Sequence, residues 1–399
     1  GEAARGPERR LRLAVVATHP IQYHAPWFRA LVAEGVDLHV LFSVIPDAAQ
    51  QATGFGGAFE WDVPLLEGYE WSVLDQLRPR PALGSFLGLA NLGIGGALAR
   101  LEPDAVVLTG WNALPLLQAL GAAVRLGLPT VLRGEANALR PRPWWKAAGH
   151  RGLLAAYDAF VAIGRANRDF YQRNGVPTER IVDGGYFVDE GFFLGLRERE
   201  LPGRAESRRA WGIPEEAFCP LFVGKLQAKK RPLDFILALG AASRENPAGS
   251  AHGLVVGSGE LEKEAKLTAS AESVPVAFAG FLNQTEIGRA YAAADALVLP
   301  SDWGETWGLV VNEAMLFGLP AIVSDRVGCG PDLVSDGETG FIVPFARPDV
   351  LAERFLELAR DEKWRRALGD NAYARVLRYS SRRGARATLA AAAIAAGGD

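Results

Sequence analysis

Residues 296–320 of the chain read ALVLPSDWGETWGLVVNEAMLFGLP and carry three structural signals in a row. The stretch begins with four apolar residues, Ala296–Leu299, which predict a buried strand. A polar loop follows, and a second apolar run begins near Gly308 and ends at Gly318-Leu319-Pro320, a typical helix stop. The stretch therefore predicts a strand, a loop and a helix, the repeating unit of a parallel α/β sheet.

Short apolar runs recur along the whole chain, with helical patterns between them. Because they are rich in Val, Leu, Ile and Ala and lack polar alternation, they are typical of strands buried on both faces of a parallel sheet. The other runs are Leu13–Ala17, Val36–Phe42, Ala105–Leu108, Thr130–Leu132, Phe160–Ile163, Leu221–Val223, Leu254–Val256, Val276–Phe278, Ala321–Val323 and Phe341–Val343. The predicted fold class is α/β, with doubly wound parallel sheets.

The alternation weakens between Leu194 and Glu216, where the sequence is charged, punctuated by Pro and Gly, and poor in large apolar residues. We interpret this stretch as the boundary between two doubly wound domains of similar size. The predicted divisions are an N-terminal Rossmann-like domain over 1–195, a linker over 196–215, a C-terminal Rossmann-like domain over 216–375, and a C-terminal helix over 376–399 that packs back on the N-terminal domain.

Composition limits the classes of function. The 399 residues are 49% apolar and 22% charged, which fits a multi-domain globular protein. The net charge of −3 argues against a large, uniformly basic nucleic-acid surface. Cys219 and Cys329 are the two cysteines, too few for a disulfide framework or a zinc cluster. With neither an apolar leader near the start nor an apolar stretch of about 18 residues, we expect a cytoplasmic protein.

The loop after the first predicted strand argues against a dinucleotide site. Residues 18–26 read THPIQYHAP, with no G-x-G-x-x-G and with two prolines where a phosphate-binding turn should be. The chain also lacks G-x-x-x-x-G-K-[ST], which excludes a P-loop NTPase. His19, Tyr23 and His24 nevertheless follow a strand end, where α/β sheets bind ligands. The alternative is that the histidines are loop residues that cap the following helix.

A cationic run follows the predicted strand Leu221–Val223. Residues 224–232 read GKLQAKKRP and place four cations at a strand end, directly before a helix. Lysine charges beside the amides of a helix N-terminus suit a diphosphate. The alternative is an ordinary solvated charge run.

Two glutamates flank the helix start in the opening stretch. Glu305 lies in the loop and Glu313 lies five residues into the helix, roughly 7.5 Å along its axis. With free amides at 308–310 between them, the two carboxylates can bind an elongated ligand that has a polyhydroxy ring at each end and an anion in the middle. A sugar nucleotide has that shape. The alternative is two solvated glutamates around a helix start.

These motifs together resemble the retaining glycosyltransferases of the GT-B fold in glycosyltransferase family 4 (glycosyl transferases group 1). The family's Glu-x7-Glu frame reads ETWGLVVNEA at 305–314, and its G-R-L-x-x-x-K segment reads GKLQAKK at 224–230. Downstream, the pattern continues with Gly318-Leu319-Pro320, Ser324, Gly328 and residues 337–341. The resemblance is strong over about residues 215–380 and looser before them.

The resemblance implies two Rossmann-like domains facing a central cleft, with the acceptor bound by the N-terminal domain (1–195) and the nucleotide-sugar donor by the C-terminal domain (216–375). It also implies a metal-independent, hexosyltransferase-like enzyme. Such an enzyme moves a sugar from a nucleotide-diphosphate sugar to a glycan, a lipid-linked acceptor or a small molecule, as in bacterial surface-glycan or glycoconjugate biosynthesis. It needs no cofactor beyond its nucleotide-sugar co-substrate, for which UDP or GDP is expected. The sequence contains no Asp-x-Asp pair of the kind that holds a metal in GT-A enzymes.

The resemblance also implies roles for individual residues. Lys225 and Lys230 would bind the diphosphate and neutralise the leaving group, and Glu305 would contact the donor sugar, which makes these three the catalytic candidates. Glu313 would hold the ribose hydroxyls. The donor-binding candidates are Gly224, Gly280, Phe281, Leu282, Thr306, Trp307, Gly308, Leu309, Val310 and Glu313.

The chain departs from the family near residue 135, where the usual His is replaced within the sequence RGEAN at 133–137. Glu135 follows the predicted strand Thr130–Leu132, so it is a candidate for binding the acceptor or assisting its hydroxyl. A helix-capping or loop-tying role is the alternative. His19, Tyr23 and His24 are the other acceptor-side candidates.

Two other functions remain open at this level. A GT-B-like nucleotide-sugar 2-epimerase shares the fold but should lack the Glu-x7-Glu frame. A catalytically degenerate glycan-binding subunit is disfavoured because Lys225, Lys230, Glu305 and Glu313 are all present.

Residues 125–180 carry ten Arg or Lys and four acidic residues. Within them, residues 140–146 read RPRPWWK. Cations beside indoles suit the inner face of a membrane, an anionic lipid carrier or an acidic glycan. The alternative is a surface loop whose tryptophans pack on the domain.

Overall fold

The computed structural model describes residues 10–47, 50, 60–246 and 251–397. In this part of the chain, thirteen strands form two separate sheets, one of seven strands and one of six, and neighbouring strands are parallel in both. The predicted α/β class with two doubly wound sheets is confirmed. Residues 1–9, where the sequence predicts no leader, lie outside the described residues.

The N-terminal sheet has the strand order β3-β2-β1-β4-β5-β6-β7. Its strands are β1 (Arg12–Ala17), β2 (Asp37–Phe42), β3 (Glu70–Val73), β4 (Ala105–Leu108), β5 (Thr130–Leu132), β6 (Ala159–Ala162) and β7 (Ile181–Asp183). Its helices are α1 (Ala25–Ala33), α2 (Ile94–Leu101), α3 (Leu114–Leu126), α4 (Trp144–Leu154) and α5 (Arg165–Arg173). The order reverses between β1 and β4, and such a switch point opens a crevice at the strand ends.

The C-terminal sheet has the strand order β10-β9-β8-β11-β12-β13. Its strands are β8 (Pro220–Val223), β9 (Gly253–Val256), β10 (Val276–Gly280), β11 (Ala296–Leu299), β12 (Ala321–Ser324) and β13 (Gly340–Val343). The remaining helices are α6 (Glu190–Glu200), α7 (Arg204–Ala210), α8 (Pro232–Glu245), α9 (Glu262–Ala271), α10 (Gly288–Ala293), α11 (Leu309–Leu316), α12 (Gly330–Leu333), α13 (Pro348–Arg360), α14 (Glu362–Val376) and α15 (Ser381–Ala395). Here the switch point lies between β8 and β11.

The stretch 196–215, predicted as a linker, contains the end of α6 and all of α7 and packs on the C-terminal domain. Arg204 and Arg208 both bind the carboxylate of Asp295, at 2.7 and 3.0 Å. Leu196 and Ile213 are buried in the same core as β8 and β11. The sequence looks like a linker because arginine side chains make many of its contacts with the domain.

Helix α15 returns to the N-terminal domain and packs on α1 and on β5 to β7. The indole Nε1 of Trp27 donates a buried hydrogen bond of 3.1 Å to Thr388 Oγ1. At the start of α15, the Ser381 hydroxyl donates to Glu190 at 2.9 Å, where the chain first enters the C-terminal domain. Among the described helices, none has both the length and the apolar character that crossing a bilayer requires.

Candidate functional site

A cavity of about 630 Å³ lies between the two domains. The loops after β1 and β5 line it from the N-terminal side, and those after β8, β10 and β11 line it from the C-terminal side. The predicted site residues that line it are His19, Tyr23, Glu135, Gly224, Lys225, Lys230, Phe281, Leu282, Glu305, Thr306, Trp307, Gly308, Leu309, Val310 and Glu313. The structure therefore brings residues from both halves of the sequence to one cleft at the strand ends.

Two predicted residues do not line the cavity. His24, proposed for the acceptor side, is only 7% exposed and packs between Trp27 and Phe28, with ring centroids 5.9 and 5.8 Å away. The prediction for His24 is wrong because α1 begins at the next residue and turns this side chain into the core, where burial lowers its pKa well below the usual value. Gly280 ends β10, and its carbonyl accepts a hydrogen bond from Gly257 rather than facing the cavity.

One end of the cavity carries an ion pair. The Lys230 ammonium contacts Glu305 Oε2, and both side chains are mostly buried. Burial lowers the pKa of Lys225, and the positive charges of Lys229 and Lys230 lower it further. Since these crowded ammonium groups repel one another, an anion bound among them would be stabilised.

The middle of the cavity is the start of α11. Gly308 precedes the helix with a φ of +102°, in the left-handed region that glycine adopts easily. A Cβ at Gly308 would lie 2.7 Å from Leu299 Cδ2, so the tight turn also requires the absence of a side chain. No side chain caps α11, and Leu309 and Val310 line the cavity. The helix therefore presents its positive end to whatever occupies the cleft.

The other end of the cavity is a buried carboxyl group. Glu313 is 2% exposed and accepts hydrogen bonds from Tyr23 Oη at 3.2 Å and from Tyr291 Oη at 2.5 Å. Burial raises the pKa of Glu313 to about 7, although the two tyrosine hydrogen bonds lower it. Tyr23 belongs to the N-terminal domain and Tyr291 to the C-terminal domain, so one of these bonds crosses the cleft.

Glu135 also bridges the domains. Its Oε1 accepts from Tyr186 Oη at 2.6 Å, and its Oε2 accepts from Thr306 Oγ1 at 3.1 Å. Beneath it, the buried guanidinium of Arg133 lies 4.6 Å from the ring centroid of Tyr186. Glu135 therefore ties two loops together, which is the structural role that the sequence leaves open. It also lines the cavity, which a role in binding the acceptor requires.

Sequence reasoning missed several residues that shape the cleft. Tyr186 lines the cavity and donates to Glu135, and the fully buried Tyr291 donates to Glu313 from behind the cavity wall. No local pattern links either tyrosine to its partner. Trp61 lines the cavity next to Asp62, which accepts hydrogen bonds from the Thr285 amide and hydroxyl across the cleft. Within the described ranges, no group of three or more His, Cys, Asp or Glu is placed to hold a metal ion.

The fold matches that of solved structures. An Anabaena protein, Alr3699/HepE, solved with UDP and glucose, aligns with a TM-score of 0.68 over 95% of this chain and 99% of its own, at 16% identity. A glycosyltransferase from Rickettsia africae aligns with a TM-score of 0.72 over 96% of this chain and 98% of its own, at 12% identity. At such identities the likeness concerns the fold alone, and that fold is GT-B.

Sequence similarity points more closely to a family. Residues 203–375 match the family described as Glycosyl transferases group 1. A D-inositol 3-phosphate glycosyltransferase from Streptomyces bingchenggensis is 30% identical over 295 residues, which cover 70% of this chain and 62% of that protein. The relative of the same name from Actinosynnema mirum is 32% identical over 267 residues, covering 63% and 61%. The chain thus spans about three fifths of the length of these curated relatives.

Proposed function

We propose that the protein is a glycosyltransferase that moves a sugar from a nucleoside-diphosphate sugar to an acceptor hydroxyl, without a metal ion and with retention at the anomeric carbon. The main support is one cavity that holds lysines at one end, a buried carboxyl at the other and the start of α11 between them. The family match over residues 203–375 and the UDP bound by the Anabaena relative also support it.

In this proposal, Lys225 and Lys230 bind the diphosphate of a UDP or GDP sugar. Phosphate oxygens replace Glu305 as the partner of Lys230, which frees the Glu305 carboxylate to contact the donor sugar. Charge that develops on the leaving diphosphate is stabilised by the two ammonium groups and the amides of α11.

The nucleoside lies at the opposite end of the cavity. Glu313 accepts hydrogen bonds from the ribose hydroxyls in place of the hydrogen bond from Tyr23. Phe281 and Leu282 pack beside the base. Both of these residues follow β10 and line the cavity.

The acceptor lies on the N-terminal side, beside His19 and Glu135, whereas Tyr23, which the sequence also assigns to the acceptor side, lies on Glu313 next to the nucleoside. Burial lowers the pKa of His19 to about 4, so the imidazole is neutral at physiological pH and can accept or donate a hydrogen bond. The acceptor is a glycan, a lipid-linked molecule or a small molecule, in keeping with a role in bacterial surface-glycan or glycoconjugate biosynthesis. The leaving phosphate assists removal of the acceptor proton, and no enzyme nucleophile is assigned.

A ligand panel tests the donor assignment. UDP or GDP, and the sugars linked to them, should raise the melting temperature, whereas ADP should not. With the best donor, slow hydrolysis in the absence of acceptor is expected, and Glu305→Gln should reduce it while Glu338→Gln, an exposed glutamate, should not. No response to any nucleotide contradicts the proposal. Epimerised donor would favour the 2-epimerase, and binding without turnover would favour the glycan-binding subunit.

A further inference from the structure

Helix α4 lies on the surface of the N-terminal domain and buries one side chain, Leu154. At its start, Trp144 is 82% exposed and Trp145 is 57% exposed. A surface helix in a globular domain normally turns its apolar stripe toward the core. Two adjacent indoles in solvent instead leave the apolar part of α4 open to a partner.

The surroundings of these indoles are basic. Between residues 136 and 157 the sequence holds Arg140, Arg142, Lys146 and Arg151 and no Asp or Glu. The Lys146 ammonium lies 5.2 Å from the ring centroid of Trp145, and Arg140 and Arg151 are exposed. Cations attract anionic headgroups, and indoles prefer the boundary between headgroups and acyl chains, so this composition complements an anionic bilayer.

Helix α4 stands at the same edge of the sheet as the cleft. Helices α3 and α4 follow the neighbouring parallel strands β4 and β5, so both begin at the carboxyl ends of the strands. Trp111, in the loop after β4, lies 5.9 Å from the His150 ring on α4. In the loop after β5, Glu135 lines the cavity nine residues before Trp144.

A second exposed apolar loop joins this edge to the cleft. The Leu114 amide at the start of α3 donates to the Phe86 carbonyl at 2.9 Å. Phe86 is 43% exposed and Leu87 is 57% exposed. Leu83 and Gly84, three residues earlier in the same loop, line the cavity. The loop 83–87 therefore carries exposed apolar side chains between the start of α3 and the cavity.

We propose that the protein docks on an anionic membrane surface through residues 140–151, here called the tryptophan patch. Docked in this way, the cleft opens at the lipid surface, and a lipid-linked acceptor reaches it from the bilayer. The lipid-linked acceptor rests on the proposed function, whereas docking itself does not.

Flotation of the full chain with vesicles tests the docking. One set of vesicles is phosphatidylcholine alone, and the other contains about one third phosphatidylglycerol. The chain should float with the anionic vesicles only, and high salt should release it. The double variants Trp144→Ala/Trp145→Ala and Arg140→Glu/Lys146→Glu should each reduce the floating fraction by about tenfold.

Matched controls lie on other surfaces. Trp71→Ala removes a 37% exposed indole on β3, and Arg366→Glu reverses an exposed cation on α14. Both should float like the unaltered chain. Failure of the unaltered chain to float with anionic vesicles, equal flotation with both compositions, or undiminished flotation of the tryptophan-patch variants overturns the proposal.

The melting temperature of each sample, with and without UDP or GDP, separates the two proposals. Because the altered side chains are exposed, the variants should have the same melting temperature as the unaltered chain. If one double variant unfolds, flotation of the other double variant still tests the docking proposal. A chain that responds to nucleotide but does not float contradicts docking alone. A chain that floats but responds to no nucleotide contradicts the proposed function alone.

Discussion

The two glutamates of the sequence ETWGLVVNEA lie at opposite ends of one cleft and in opposite surroundings. Glu305 meets the ammonium group of Lys230. Glu313 meets two tyrosine hydroxyls, and burial raises its pKa to about 7. One end of the cleft is therefore an ion pair, and the other is a carboxyl group whose pKa is raised close to physiological pH. The motif sets where the two carboxyls stand, and side chains from other elements set what each carboxyl contacts.

The largest expected effect comes from removing the cation at the ionic end. Lys230→Ala leaves Glu305 without its partner and the diphosphate without a charge that stabilises departure. We expect turnover of the best donor to fall by about 10² to 10³-fold, a loss of roughly 3–4 kcal/mol of transition-state stabilisation. Lys363→Ala, an exposed lysine on α14, should leave turnover unchanged. Equal activity of the two variants would show that Lys230 does not stabilise the leaving diphosphate.

The buried carboxyl of Glu313 should contribute to the pH dependence of the free energy of unfolding. The pKa of Glu313 is raised from an ordinary 4.5 to about 7, so the folded chain retains a proton that the unfolded chain releases. Its contribution to stability is complete below about pH 4.5 and is lost as the pH rises through about 7, up to about 3 kcal/mol in the free energy of unfolding.

Urea unfolding of Glu313→Gln from pH 5 to pH 8 measures this contribution. The variant should lose the part of the pH dependence that Glu313 supplies, while Glu338→Gln should retain the slope of the unaltered chain. Parallel pH profiles for Glu313→Gln and the unaltered chain would mean that the carboxyl is ionised in the folded protein.

The smallest expected effect comes from removing one of the two tyrosine hydroxyls that donate to Glu313, and the two removals should differ. Tyr23→Phe removes the hydrogen bond that crosses the cleft and leaves Glu313 Oε1 ready for a ribose hydroxyl. Nucleotide affinity should rise by a few fold, while stability falls by about 1 kcal/mol.

Tyr291→Phe is the matched variant, since it removes a hydrogen bond to the same carboxyl from within the C-terminal domain. It should reduce stability by a similar amount without increasing affinity. Titration calorimetry with UDP or GDP measures both variants, and an equal change in affinity would exclude a special role for the bond across the cleft.

The sequence located the central strands because both of their faces are buried. The predicted runs Ala105–Leu108 and Ala296–Leu299 coincide with β4 and β11. The edge strands β3 (Glu70–Val73) and β7 (Ile181–Asp183) were missed. No residue of β3 is buried and one residue of β7 is, so neither strand shows the continuous apolar pattern that identifies a strand covered on both sides.

The candidate site was partly predictable for a related reason. Lys230, Glu305 and Glu313 belong to local patterns at strand ends, and the cavity brings all three together. Tyr186 and Tyr291 reach the site from distant parts of the chain, so no spacing rule indicates them. His24 was misassigned because a loop sequence does not reveal where the next helix begins, and one residue decides whether a side chain faces the cleft or the core. The roles of the site residues stay predictions.

The return of α15 to the N-terminal domain means that the backbone passes between the domains twice, near Glu190 and near Ser381. These two passages lie side by side, joined by the hydrogen bonds from Ser381 to the Glu190 carboxylate. Two bodies connected at neighbouring points swing about the line through those points more readily than they slide or twist. Opening and closing over a ligand would then follow one hinge axis, and the pairing of Glu190 with Ser381 holds that axis in place.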